Sequence, residues 1–540
     1  KPGSGTLGGT AAKNAVAGVV TFTDLSIGTD GGAGFTLLAS ASPLSVKSAA
    51  FDIVNPTTVL SAMDPIFKPV NTAAFTLTVT GTGFVPSTKV LWKGAERVTT
   101  YVSGTQLTAA IPETDLLSAG TALVTVQSPT ADASAALTFT ITPAAQASEV
   151  WVDDNWTGYG VAGGKTWGYD AFGTIQSAIN GVAYDGIIHV NAGTYTEVAS
   201  ALSKEFDLIG ETAPDGSPLP LIVGQIAIDH PGSDTGWRIE NLRFRAGTAA
   251  SLLSLKNVNR AAVANCVFDG AGRFAGYPRV NGLAFETSAN GNTFPTVTDC
   301  VFSNGLYTAI TGIANDLTVK DCLIDNVKSG MNMRGSRLSV LDSEIAVKAV
   351  TTTDTYGIRY GTSDAGSANG LNVQGCVISV NQNDFEPEAG EYHCAIYLRA
   401  GAIGVQKVSN CSLAGDIVNL SATGITLDAS GNWWGSADAA DVAGNVVAGS
   451  VDYSPWLAVG TDTDNGARGF KGDFSSLWID DDSPQAGTVG GIQEGVNLVT
   501  AGGTVNVLAG TYAEHVDIDK AVSVLGADKA TTFIDGSADD

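Results

Sequence analysis

Five aspartates raise the first question of chemistry. Asp462 and Asp464 place oxygen ligands at alternate positions, and Gly466 supplies the sharp turn, as in a calcium loop. The bidentate glutamate that completes such a loop is missing, and its register falls on the shorter Asp473. Asp480, Asp481 and Asp482 form a second acidic run, echoed by Asp153 and Asp154. These residues nominate calcium as the cofactor, with Asp462, Asp464, Asp480, Asp481 and Asp482 as metal ligands. The plainer reading is that they are solvated linker residues and cap carboxylates that accept backbone N–H groups.

Other side chains suit acid–base or sugar chemistry. Arg334, Arg337, Arg359 and Arg399 fall in the middle of the chain, where they could line one face. Asp325, Asp342 and Glu344 carry carboxyls of the kind a glycosidase pairs. Isolated Arg and Asp on loops are more simply solvated surface. Trp433, Trp434, Tyr453 and Trp456 form either a sugar-stacking platform or an apolar plug. The four histidines lack metal-ligand spacing.

Composition narrows the classes. Lys and Arg total 28 against 54 Asp and Glu, a net charge of −26. That balance argues against a nucleic-acid partner, which needs cations to neutralise phosphates. No apolar run reaches the ~20 residues that span a bilayer. Charged residues are only 15%, and 65 residues are Gly, the composition of turn-rich β modules exported from the cell.

The elements that must hold these residues repeat. WVDD…GTIQSAING…AGTYTE, from Trp151 to Glu197, returns as WIDD…GGIQEGVNL…AGTYAE, from Trp478 to Glu514. A long-period duplication of this kind marks a modular architecture. Between the copies one phrase recurs: NCVF at Cys266, DCVF at Cys300, DCLI at Cys322, GCVI at Cys376 and NCSL at Cys411, with LDSEI (341–345) in the same slot without Cys. Identical phrase positions predict an inward stack of these five cysteines on successive coils. Side chains stacked in parallel register point the same way, so free thiols are expected rather than disulfides. Cys394 lies outside the phrase.

Several stretches resemble known families. TGTGF (80–84), VLWKG (90–94), TQLTAAIP (105–112) and TFTI (138–141) are similar to an IPT/TIG domain, an Ig-like sandwich. Residues 18–27 and 34–54 resemble the later strands of bacterial Ig-like repeats. The cap phrase resembles the N-terminal cap of right-handed parallel β-helices of the pectin-lyase-like superfamily, and GNWWGS (431–436) with VDYSPWL (451–457) resembles the terminal motif of large bacterial surface β-helix repeats.

The implied fold is all-β, with tandem Ig-like sandwiches, then a right-handed parallel β-helix, then the start of a second. The expected boundaries are 1–56 for a partial Ig-like domain, 57–143 for the IPT/TIG-like sandwich, 144–457 for the β-helix, 458–477 for a linker and 478–540 for the next cap. Further sequence is expected on both sides. The active-site phrases of pectin methylesterases, polygalacturonases and pectate lyases are absent, so no enzymatic activity is expected. The resemblance implies an extracellular structural or adhesive component of a bacterial cell surface, such as a surface layer, stalk or fibre. Such a component acts by assembly with copies of itself or further repeats. The alternative is a carbohydrate-binding or polysaccharide-degrading β-helix with surface polysaccharide as partner. A basic or aromatic-lined groove halfway along the solenoid favours the alternative; contacts at the module ends favour assembly.

Overall fold

The computed structural model describes residues 6–539, except 29–30, 66, 130, 143–145, 157–164, 166–169, 203, 231–235, 274–278, 287–291, 351–352, 362–367, 382–389 and 422–423. The chain divides into two units, Lys1–Ala145 and Gln146–Asp540. The boundary expected at 143/144 falls on residues outside those described.

The first unit holds an Ig-like sandwich. A four-stranded sheet (Thr99–Ser103, Gln106–Ile111, Phe75–Thr82, Val59–Asp64) faces a five-stranded one containing Lys89–Trp92, Gly120–Gln127 and Leu137–Thr142. Period-2 alternation sends Leu77, Val79, Leu107, Val124 and Phe139 inward. The VLWKG hairpin turns at Lys93 and Gly94, both at positive φ, as a two-residue turn between right-twisted strands requires. Ahead of the sandwich, residues 6–53 form separate two-stranded ribbons rather than the sheets of a partial sandwich. Their short strands bury almost nothing: Leu38, Leu44 and Val46 are exposed.

The second unit is a parallel β-helix. One ladder of parallel strands runs from Ala147–Val152 to Val451–Asp452, and the other faces form a 17-stranded sheet. The Cys phrase explains the coil. The residue before each Cys is Asn, Asp or Gly (Asn265, Asp299, Asp321, Gly375, Asn410), and each adopts positive φ. These types tolerate the left-handed turn at low cost. Two residues after the Cys, an apolar side chain points inward. Phe244, Phe268 and Phe302 stack there with centroids 5.0 and 4.6 Å apart and planes within 5°.

All five phrase cysteines are fully buried in one ladder, as expected, and all six cysteines are free thiols. They are more than small apolar fillers. Each Sγ donates to the carbonyl two residues back, as in Cys300 to Thr298 at 3.2 Å and Cys411 to Ser409 at 3.2 Å. Ser343 and Asn432 continue the ladder, accepting the N–H of Cys322 and of Cys411. Trp434, Tyr453 and Trp456 are buried in the solenoid core, as a plug would be.

Two short helices cap open ends. Thr174 caps α1 (Ile175–Gly181) by accepting the Ser177 N–H, and Ile175, Ala178 and Ile179 form its buried face. Helix α2 (Ala439–Gly444) lies near the end of the first solenoid. Helix α3 (Gly491–Leu498) buries Ile492, Gly495 and Val496 and opens the second cap. Both apolar stripes follow the i, i+3, i+4 spacing of an amphipathic helix. The segment 458–477, expected as a linker, is strapped along the left-handed turns. Arg468 donates to the Asp321 carbonyl (2.9 Å), Phe470 N–H to the Gly375 carbonyl (2.8 Å) and Gly472 N–H to Asn410 Oδ1 (2.8 Å). Its backbone N–H groups find acceptors on the turns, so it is held against the coils.

Candidate basic and aromatic site

Strands Ser329–Arg334, Thr355–Tyr360 and His393–Leu398 lie side by side, with Asn332, Arg359 and Tyr397 at one register position. Met331, Ile358 and Ile396 point into the core. Alternation therefore sends Arg359 and Tyr397 outward. On that outer face Tyr356, Cys394 and Val418 form a small apolar cluster of their own, with Tyr392 and Tyr397 packed on it.

Cations sit over this aromatic floor. The Arg359 guanidinium lies 5.2 Å from the Tyr356 ring and 5.0 Å from the Tyr397 ring, within cation–π range of both. It stands 3.6 Å from Asp354, and its Nε is buried without a hydrogen-bond partner. Arg279 and the Lys328 ammonium share the Tyr307 ring at 4.5 and 4.8 Å. Lys328 is 3% exposed, and its ammonium donates to the Asp354 carbonyl at 2.6 Å. Burial, then the charge of Arg279, lowers its pKa to about 8, against the opposing pull of Asp354 and Glu391. Burial and the neighbouring Arg359 and Arg334 also hold Arg399 below its ordinary value. Five cations thus gather on one face of a strongly acidic chain.

Two carboxylates are set among them. The Tyr392 N–H donates to Asp354 Oδ1 (2.9 Å), and the Asp354 N–H donates to Glu391 Oε2 (3.0 Å). The neighbouring Asp354 carboxyl raises the Glu391 pKa above its ordinary value. The arrangement offers charge, stacking surface and exchangeable protons together.

Of the four arginines singled out in the sequence, Arg334, Arg359 and Arg399 meet here. Arg337 does not: it pairs with Asp316 on another ladder, 2.5 Å away. Asp325 and Glu344 lie on neighbouring strands of the 17-stranded sheet, Leu323–Val327 and Glu344–Lys348, and Asp342 sits in the left-handed turn before the second of these. Arg279, Lys328, Asp354, Glu391 and the four tyrosines escaped the sequence reading. Only Tyr397 had a signal in a phrase already noted, AIYLR, where alternation puts it on the outer face beside Arg359 of GIRY.

Four of the five aspartates nominated for calcium, all but Asp482, engage other partners through their carboxylates. Asp462 Oδ1 accepts the N–H groups of Asp464 and Lys471, and Asp464 is paired with the Lys471 ammonium at 3.1 Å. Asp480 Oδ1 accepts the Asp482 N–H, and Asp481 Oδ2 accepts the Thr511 N–H at 2.7 Å. Among the described residues, no group of three or more His, Cys, Asp or Glu side chains is placed to hold a metal ion.

Residues 59–141 match the family model of the IPT/TIG domain, a module that points to a modular cell-surface or adhesive role. Such domains are common in extracellular proteins. Among the described residues, no helix is long and apolar enough to cross a membrane. A comparison with curated proteins returned no match. The solved chains that match include the catalytic domain of a GH87 alpha-1,3-glucanase in complex with nigerose and a substituted form of the same domain. Each is 10% identical, covers 91% of this chain and 92% of its own, and has a TM-score of 0.28. The expectation that the chain is not an enzyme is corrected by these matches. At that TM-score the likeness assigns neither reaction nor substrate.

Proposed function

We propose that this chain is an extracellular, modular adhesive protein of a bacterial cell surface whose β-helix holds surface polysaccharide on its Arg–Tyr face. The observation that carries this reading is Arg359 held between Tyr356 and Tyr397, with Lys328 and Arg279 on Tyr307 beside it. Aromatic rings give sugars an apolar face, and the cations add directed hydrogen bonds. The duplicated cap supports the modular half of the reading. Affinity electrophoresis of the full chain in gels of neutral and acidic polysaccharides tests it. Retardation by at least one polymer is expected. Arg359→Ala with Tyr397→Ala should weaken it at least about tenfold, a loss of ~1.4 kcal/mol. No retardation by any polymer, or retardation that the double variant keeps, would sink it.

A second reading rests on the two carboxylates Asp354 and Glu391 standing together beside Lys328. These groups suit general acid–base cleavage of a bound glycan. New reducing ends or unsaturated products from the retained polymer, lost in Asp354→Asn, would establish it. Retention without products in either protein would reject it.

A further inference from the structure

The first solenoid ends where the second cap begins, and the two are joined. Trp456–Leu457 pairs antiparallel with Ser476–Ile479. Ser483 Oγ accepts the N–H groups of Tyr453 (3.0 Å) and Ser454 (3.2 Å), and Asp452 accepts the Ala486 N–H (2.8 Å). Beside these contacts runs a line of four polar groups. Lys407 Nζ lies 2.5 Å from Asp428 Oδ2. Asp428 Oδ1 lies 2.7 Å from Ser430 Oγ, and Ser430 Oγ lies 2.7 Å from Glu494 Oε1 on α3.

Counting hydrogens along this line leads to a proton. A serine hydroxyl has one hydrogen, and an ionised carboxylate has none. Ser430 Oγ sits between two carboxyl oxygens with one hydrogen to give, so a hydrogen on one of the carboxyls would complete both contacts. Asp428 is already engaged on both oxygens, Oδ2 by the Lys407 ammonium and Oδ1 by the Ser430 N–H. The carboxyl left to carry such a hydrogen is that of Glu494, which would then donate to Ser430 while Ser430 donates to Asp428. We propose that this seam is a proton-operated joint: a protonated Glu494 latches the second cap to the end of the first solenoid, and loss of that proton releases the latch.

The surroundings fit such a device. Burial, then the charges of Asp452 and Asp428, push Glu494 up to about 7, against Ser430 and Lys407, which favour the ionised form. Burial, with Asp428, pushes Asp452 up to about 6. These are the charged groups facing Glu494 from the strands packed against α3 among the described residues. A cavity of about 500 Å³ lined by Asp428, Asp452 and Glu494 gives water a route to the line. A raised carboxyl pKa means that the docked state binds protons more tightly than the open one. The latch is therefore complete below about pH 4, the ordinary carboxylate range. It is lost as pH rises through about 7.

Hydrogen–deuterium exchange of the full chain from pH 5.5 to 8.5, corrected for intrinsic exchange, tests the joint. In the native protein, amides of α3 should exchange at least about tenfold faster at pH 8.5 than at 5.5. Strands Val267–Asp269 and Val301–Ser303 should not change, which reports an intact solenoid. Glu494→Gln supplies an amide hydrogen to Ser430 at every pH, so it should stay protected and flat across the range. Ser430→Ala should be fast throughout and equally flat. A flat native profile, or a Glu494→Gln profile that still rises above pH 6.5, overturns the proposal.

Discussion

The two caps use the same hydrogen bonds at equivalent residues, yet differ at the seam. Glu197 accepts the N–H groups of Ile175 and Gln176 in the first; Glu514 accepts those of Ile492 and Gln493 in the second. Tyr195 donates to the Val152 and Asn191 carbonyls, and Tyr512 to those of Ile479 and Leu508. Lys204 and Lys520 each reach the last carbonyls of their cap helix. Asp154 and Asp481 each hold the N–H of the threonine in the G-T-Y turn. The shared residues satisfy groups that a helix leaves unpaired at its ends. The residue at the Glu494 position is not shared: α1 carries Ser177 there, in contact with its own cap residue Thr174 at 2.8 Å. Cap construction and module joining thus rest on separate residues.

The shared glutamates offer the largest break. Glu514→Ala leaves two backbone N–H groups of α3 unpaired at a site only 8% exposed. The local opening free energy of the cap, read by native-state exchange, should fall by about 2–3 kcal/mol. Glu197→Ala, at a half-buried site, should cost about 1–2 kcal/mol. An unchanged opening energy in either variant would show that the carboxylates are incidental.

The tyrosines come next. Each hydroxyl bridges two carbonyls while the ring stays buried, so Tyr195→Phe and Tyr512→Phe remove hydrogen bonds without opening a cavity. A loss of about 1 kcal/mol is expected in each cap by the same measurement. Losses that differ widely between the caps would mean that the equivalence of the two networks is geometric rather than energetic.

What the sequence revealed follows from distance along the chain. The cap equivalence was legible because each network closes within one short stretch, where spacing survives. The Cys ladder was legible because each turn carries its own Asn, Asp or Gly before the thiol. Ser343 could be placed from LDSEI, whereas Asn432 could not, since GNWWGS lacks the rest of the phrase. The basic face was legible only in its three arginines, Arg334, Arg359 and Arg399; the rest assembles across coils separated by loops of unequal length. Arg334 and Arg337 are three residues apart, yet a turn at Gly335 (φ 137°) sends them to different ladders. The strap at 458–477 was missed for a related reason. Its acceptors, Asp321, Gly375 and Asn410, are distant in sequence, and its Gly- and Asp-rich composition matches a solvated connector.

The smallest expected effect sharpens the comparison most. Ser177 is exposed at the third position of α1, and Thr174 already caps that helix. Ser177→Glu completes a capping box, T-x-x-E, in which the carboxylate reaches back to the cap residue's N–H. It also places negative charge at the positive end of the helix. The first cap should gain about 0.3–1 kcal/mol. The new glutamate enters an exposed site, with no Ser430 and no Asp428 opposite it. Its carboxyl should titrate in the ordinary range, and exchange of α1 should stay flat from pH 6 to 8.5. Glu494, at the equivalent position of α3, should respond across that window. A pH response of α1 in Ser177→Glu would mean that helix position, rather than the line from Lys407 to Ser430, sets the sensitivity of the seam.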